Sequence, residues 1–493
     1  MSAMKKTTAV FNMTALILIM LSLCFYIFSI FRMSIRQYTG LASWAGVLFV
    51  ATAVAAVVLV SKLIKTDIRA ILCCLILTLA ELLIWNFIVQ AQPVSDYELV
   101  WDGAGQIVAG TFQERVTGKD SIFVFCSYLA GYSYYLSLLN RLCHGSVLLA
   151  STIRLIIFAI TNMVLYKTFR LYCGIRTSFC GTALFIFYPF IFMGTGIFNN
   201  QHEAMLFELL TVYLYLRITK KHKSSVIGWI LIGISVCMAD FFRPASIIIL
   251  IAVVVLSLVK ALVEKDISFL YGGIIVIATY VLLSFLINRL FIVTGMAPYG
   301  VKSSNFWFKL LLGLTGEGMT HQETVDAAHT NFYFDLQYYG FDYDAYRAAA
   351  AEYVKELALN KQIDPKFLYH NIVYFAGFAD NQYTYLGSAF IDSHPFVTDT
   401  LNSSGLIIYF ASVVFASIRC FTKKILSHGE IALPALIFGG YFLVQIVFEM
   451  QTRYRYEQYY MLFLLAVPAM AWAWRKAVLR FGNPKRDSAD EEM

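Results

Sequence analysis

Apolar runs long enough to cross a bilayer recur from one end of this chain to the other, and they decide its fold class before any motif is read. About 20 apolar residues in a helix span the ~30 Å of hydrocarbon, where no water is present to satisfy the backbone. Such runs lie near residues 10–31, 42–60, 71–89, 147–168, 178–198, 204–216, 226–242, 245–259, 269–293, 406–418, 431–448 and 459–474. With 59% hydrophobic and only 14% charged residues, the composition excludes a water-soluble domain of this size. The expected fold is an all-α polytopic membrane protein of about 12 transmembrane helices, with interfacial helices and a larger extracytoplasmic loop region.

Orientation follows from the basic residues, which collect in cytoplasmic loops. With a cytoplasmic N-terminus, the short inside segments hold more than half of the 38 Lys and Arg residues. Both termini are therefore expected in the cytoplasm of a multi-pass cell-membrane protein. The net charge of +7 reads as topology and excludes a nucleic-acid patch. Lys5 and Lys6 precede the first span, which lacks a small-residue cleavage site and reads as a retained anchor.

Two outside segments are too long to be connectors. Residues 90–146 contain an amphipathic stretch (97–109) and an aromatic-rich one (123–139), both expected as interfacial helices. Residues 294–404 have soluble composition, and 344–360 reads as an Ala-rich helix with Asp344 near its start. The organisation expected is a pair of spans (1–70), a membrane core with the first loop (71–293), a loop region (294–404), C-terminal spans (405–475) and a cytoplasmic tail (476–493). No linker or fixed-period repeat divides it. The nine cysteines show no paired spacing. Cys126 and Cys143 alone share an outside loop, which permits one disulfide, although unpaired thiols are the simpler expectation.

Charge at membrane depth is costly unless paired. Glu81 and Arg154 lie deep in two spans and could pair across helices in a structural role. Asp96, Glu203, Arg243, Glu449 and Arg453 instead fall at the outer ends of spans, which suggests a polar cavity at that face. Glu203 follows Asn199, Asn200, Gln201 and His202 at a helix start, where a carboxylate meets exposed amides. His202-Glu203 lacks the second His of a zinc protease. Pro244 fixes a bend beside Arg243. Arg453 and Arg455 alternate with Tyr454 and Tyr456 and offer guanidinium groups to an anion, whereas Tyr459 and Tyr460 read as an interfacial aromatic belt.

Four stretches carry a family resemblance: Ser95-Asp96-Tyr97, residues 128–170, Asn199 to Glu203, and Glu449-Met450-Gln451-Thr452-Arg453-Tyr454. By these the chain resembles the GT-C superfamily of polytopic glycosyltransferases, in the branch of the protein O-mannosyltransferases and the lipid A aminoarabinose transferase. Hydropathy extends the likeness over residues 83–474, with two further spans ahead of the loop that ordinarily follows the first. The resemblance implies a cell-envelope, mannosyltransferase-like enzyme. It would transfer a sugar from a polyprenyl-phosphate donor, with inversion, at the extracytoplasmic face. Asp96 would be the general base, and Glu203 would assist it or orient the acceptor. Arg243, Arg453 and Arg455 would neutralise the departing phosphate, with Glu449, Gln451 and Tyr454 beside them. Glu98 and Asp102 are the next acids in the same helix. The partners implied are the lipid donor, membrane lipids and a protein, lipid or glycan acceptor, with no nucleic acid. A divalent metal would suit a pyrophosphate donor; a monophosphate needs less neutralisation, so neither a metal nor another cofactor is expected.

Two other classes share parts of this pattern. A polysaccharide polymerase or ligase also uses polyprenyl-linked donors and outer-face arginines. A lipid-linked sugar transporter or flippase would place its polar sites near the midplane, whereas here the charges mass at one face.

Overall fold

The computed structural model describes residues 19–30, 32, 40–117, 123, 126–221, 225–298, 300–301, 306, 310, 314, 343–359, 365–377, 382–422, 429–448 and 452–481. Among them there is no strand, and helices follow one another in the order α1 (Ile19–Ile30), α2 (Leu41–Ser61), α3 (Asp67–Val89), α4 (Asp96–Ala109), α5 (Phe112–Thr117), α6 (Tyr128–Leu142), α7 (Val147–Arg170), α8 (Ile175–Ile186), α9 (Pro189–Phe192), α10 (Gln201–Lys221), α11 (Val226–Phe242), α12 (Ile247–Val263), α13 (Ile267–Val293), α14 (Tyr343–Leu359), α15 (Pro365–Gly377), α16 (Ala389–Ser393), α17 (Pro395–Thr422), α18 (Gly429–Val447) and α19 (Tyr456–Phe481).

The protein is an all-α polytopic membrane protein. Where its residues are described, each apolar run picked out in the sequence falls on helix, with the 178–198 run broken between two helices and a 3-10 turn, but among the described residues only seven helices are both long and apolar enough to span. An eighth is added if α8 and the 189–196 segment, bent by 54°, form one broken span. Helices α1 and α11 are apolar but short. Helices α10 and α19 start with polar, buried segments that face the interior of the bundle. By length and composition seven helices among the described residues, or eight with the bent pair, pass as spans, against the about 12 expected.

Local signals set the helix boundaries. Thr66 caps α3 by accepting from the Arg69 amide at 3.3 Å, and Ser146 caps α7 by accepting from the Leu149 amide at 3.3 Å. Lys167 and Arg170 sit in the last turn of α7, where the helix dipole favours cations. Helix α4 begins with two acids, Asp96 and Glu98, and ends at Gly110, whose φ of 79° is the left-handed closure that glycine allows. Its buried face (Tyr97, Val100, Trp101, Gly103, Ala104) packs on α6. The approach is close: a Cβ on Gly103 would stand 2.8 Å from the Phe123 ring, and Ser133 Oγ donates to the Val100 carbonyl at 3.0 Å. Helix α14 forms where the Ala-rich stretch predicted it.

The main core gathers α3, α7, α10, α12, α17, α18 and α19. Helix α1 belongs to it as well: Tyr26 is buried and donates to Gln458 Oε1 at 2.7 Å. By contrast α2 packs along α17 and α8 and leaves Leu41, Trp44, Leu48 and Leu59 exposed, as suits contact with hydrocarbon. Two expectations are corrected here. Arg154 does not pair with Glu81, whose Oε2 has no partner among the described residues; it pairs with Glu203. Tyr459 and Tyr460 are no belt, since both are buried in the core, where Tyr460 donates to Glu208 Oε2 at 2.5 Å. No disulfide joins Cys126 and Cys143.

Candidate active site

Several chain segments that start or end helices meet at one cavity. They are the first turn of α4, the segment entering α10, the end of α11 and the 452–455 turn before α19. The cavity measures about 60 Å³ and is lined by Asp96, Tyr97, Val100, Cys126, Tyr128, Leu129, Tyr132, Phe198, Asn199, Asn200, Gln201, Arg243, Arg453 and Tyr454.

Each wall has a local cause. Ser95 adopts a φ of 57°, a left-handed conformation uncommon outside glycine, and so turns the chain directly into the helix that presents Asp96. Asn199 Oδ1 accepts from the Gln201 amide at 2.9 Å and satisfies one free donor of the α10 start. Asn200 Nδ2 donates to the Phe242 carbonyl at 2.6 Å and ties that start to the end of α11. Arg243 caps α11 in an extended conformation (φ −139°, ψ 104°), as a residue before proline does.

Three ion pairs surround the cavity at different depths. Arg453 donates from Nη2 to Asp96 Oδ2 at 3.4 Å and from Nη1 to Tyr97 Oη at 3.0 Å. Its guanidinium carbon stands 4.5 Å from the Tyr385 ring centre. Arg243 donates from Nε to Glu457 Oε1 at 2.9 Å and lies 4.8 Å from the Tyr454 ring. Arg154 binds Glu203 through Nε at 2.7 Å and Nη2 at 3.1 Å, and also donates to the carbonyls of Ile197 and Asn199 at 2.6 and 2.9 Å. The last pair is buried, at 1% and 2% side-chain exposure, whereas the Asp96 side chain is 49% exposed.

Burial opposes ionisation around the cavity. It pushes the Tyr97 phenol up to about 12, against the pull of Arg453 and Arg243. Arg453 is also buried, which disfavours its charge; Tyr97, Tyr454, Tyr385 and Asp96 outweigh this and raise its pKa above the ordinary arginine value. A fixed cation therefore stands beside a half-exposed carboxylate.

Of the residues picked out in the sequence, Asp96, Arg243, Arg453 and Tyr454 share the cavity. Glu203 lies behind it, held by Arg154 and by Tyr132, whose hydroxyl donates to Oε2 at 3.5 Å. Arg455 turns away into the core, donating to the carbonyls of Thr452 and Ala376 at 3.1 and 3.4 Å. Glu98 and Asp102 are exposed on the outer face of α4. Glu449 and Gln451 lie outside the described residues. Tyr97, Asn199, Asn200 and Gln201, which stood in the sequence motifs without a site role of their own, also line the cavity, and the structure adds Glu457 beside it. Glu457 is an acid four residues after Arg453, a spacing that signals a shared helix face, but the aromatic run around it reads as a belt. Among the described residues no group of three or more His, Cys, Asp or Glu could hold a metal ion.

No family model and no curated protein matches the chain. Among solved structures it is similar to the archaeal oligosaccharyltransferase AglB from Archaeoglobus fulgidus in complex with an inhibitory peptide and a dolichol-phosphate. The TM-score is 0.48 and the identity 11%, over 86% of this chain and 52% of that one. The chain thus spans about half the length of that structure.

Proposed function

We propose that the chain is an integral-membrane glycosyltransferase of the GT-C type that transfers a sugar from a polyprenyl-phosphate donor to an acceptor hydroxyl, with inversion. What supports the reading is one arrangement. A half-exposed carboxylate, Asp96, and two guanidinium groups, Arg243 and Arg453, come from distant segments to a single cavity.

The geometry suits that chemistry. Asp96 accepts the acceptor's proton while the acceptor oxygen forms its bond to the anomeric carbon. The bond from that carbon to the phosphate oxygen breaks, and polyprenyl phosphate leaves with the electron pair. Arg453 and Arg243 stabilise the charge on the departing phosphate. In the resting protein Arg453 holds Asp96 by one long contact. An arriving phosphate competes for Arg453 and leaves the carboxylate free for the acceptor. Glu203, saturated by Arg154 and Tyr132, holds the start of α10 in place in this scheme.

The positive-inside count supports an extracytoplasmic site with both termini in the cytoplasm. Tags at Lys221 and Lys423 are then expected to be protected in intact cells and a tag at Glu352 accessible; the reverse pattern inverts the orientation.

The deciding assay supplies purified protein with a panel of polyprenyl-phosphate sugars. Asp96→Asn is expected to lower transfer by about 10²-fold or more while the protein stays folded, the scale of a lost general base. Near-full transfer by this variant removes Asp96 from the chemistry.

A further inference from the structure

Glu457 does not line the cavity, yet it touches the chain segments that carry both cavity arginines. Its side chain is 1% exposed, and Oε1 accepts from Arg243 Nε and from Gln201 Nε2, each at 2.9 Å. The same Gln201 nitrogen donates to the backbone carbonyl of Arg453 at 3.0 Å. One carboxylate oxygen thus links the end of α11, the start of α10 and the turn before α19.

We propose that Glu457 is a positioning residue, which fixes Arg243 and, through Gln201, the Arg453 backbone, so that the two guanidinium groups act as one phosphate-binding fork. This rests on the donor-phosphate reading above. Both guanidinium carbons lie against the Tyr454 ring, at 4.8 and 5.7 Å from its centre. Because Glu457 takes the Nε of Arg243, the two terminal nitrogens stay available; among the described residues neither has a hydrogen-bond partner, and Arg243 lines the cavity. A guanidinium binds phosphate through two parallel N–H groups, so its value depends on the plane being held. Glu457 is suited to hold it, because leaving a buried carboxylate without its cation is costly and the pair does not swing apart.

The test measures binding to the purified full-length protein in nanodiscs, with farnesyl phosphate as probe and farnesol as its uncharged control. Glu457→Leu is expected to weaken farnesyl phosphate binding by about tenfold or more and to leave farnesol binding unchanged. Glu457→Gln keeps an acceptor oxygen for Arg243 and Gln201 and is expected to recover most of the loss. On an Arg243→Gln background Glu457→Leu is expected to cost clearly less than on the wild type, since one of its two arms runs through that residue and only the Gln201 arm to Arg453 is left. Unchanged affinity in folded Glu457→Leu, equal loss of both probes, or full additivity with Arg243→Gln overturns the proposal. If Glu457→Leu does not fold, Gln201→Leu carries the test: it removes the hydrogen bonds to both Glu457 and the Arg453 carbonyl, so a loss of about threefold or more is expected, and no loss overturns the proposal. Wild-type protein that binds farnesyl phosphate no better than farnesol brings down the donor-phosphate reading itself, and the positioning role with it.

Discussion

Asp67 and Asp96 are the same residue in the same place, each opening a helix and each paired with an arginine. Their side chains are also similarly exposed, 41% and 49%. What separates them is the set of partners. Asp67 accepts from Arg170 Nε at 2.7 Å and from the Tyr166 hydroxyl at 2.6 Å, and Arg170 is further tied to the Cys173 carbonyl. Asp96 has one long contact to Arg453 and faces a cavity. Exposure and helix position therefore do not mark a reactive carboxylate; spare acceptor capacity beside a fixed cation does. The buried pair Arg154–Glu203 marks the other limit, where every partner is fixed and nothing is left over for a substrate.

The largest expected effect comes from breaking that buried pair. Arg154→Leu leaves the Glu203 carboxylate buried without a cation, at a cost of about 3–5 kcal/mol. The expected outcome is protein that is largely misfolded, read as a loss of monodisperse material and of thermal stability in detergent. Replacing both partners, Arg154→Met with Glu203→Leu, is expected to restore much of the stability, because the stranded charge is gone. A stable Arg154→Leu single variant would show that Glu203 has another way to be satisfied.

The two exposed acids then separate by opposite signatures. Asp96→Asn is expected to change thermal stability little, since a half-exposed pair contributes about 1 kcal/mol at most, while transfer falls as argued above. Asp67→Asn is expected to cost up to about 1 kcal/mol in stability and to leave transfer by the folded fraction intact. Equal losses of transfer in both variants would erase the distinction between the two ends.

Much of this arrangement was legible in the sequence. Apolar runs located the helices, and charge at their ends picked out Asp96, Arg243 and Arg453. What the sequence could not supply was partner choice. Glu457 meets Arg243 across 214 residues and Gln201 across 256, and no local spacing encodes such contacts. Depth along the spans matched Arg154 to Glu81, yet the carbonyls of Ile197 and Asn199 draw it to Glu203. The first two spans read as an addition, yet Tyr26 reaches Gln458, beside Glu457, across 432 residues. Tyr460 looked like an interfacial ring because its partner, the buried Glu208, lies on another helix.

The smallest effect tests how Arg453 is shared. Tyr97 supplies a neutral acceptor to Nη1 at 3.0 Å, so the guanidinium does not lean on Asp96 alone. Tyr97→Phe keeps the ring and its edge contact with Tyr385 at 5.5 Å but removes that acceptor. A hydrogen bond to a charged group contributes about 1.5 kcal/mol at the low end and a neutral one about 1, so donor binding should weaken about five- to twelvefold. The loss should also be flat from about pH 6 to 9, because burial holds the Tyr97 phenol neutral up to about 12. The sign is fixed by that raised value: the stabilisation it reflects is complete below the ordinary tyrosine pKa of about 10 and is lost only as pH rises toward about 12. Donor-binding titrations of both proteins across that range check it. A defect in Tyr97→Phe that grows or vanishes near pH 8 would mean that a phenolate, and not a neutral hydroxyl, holds Arg453.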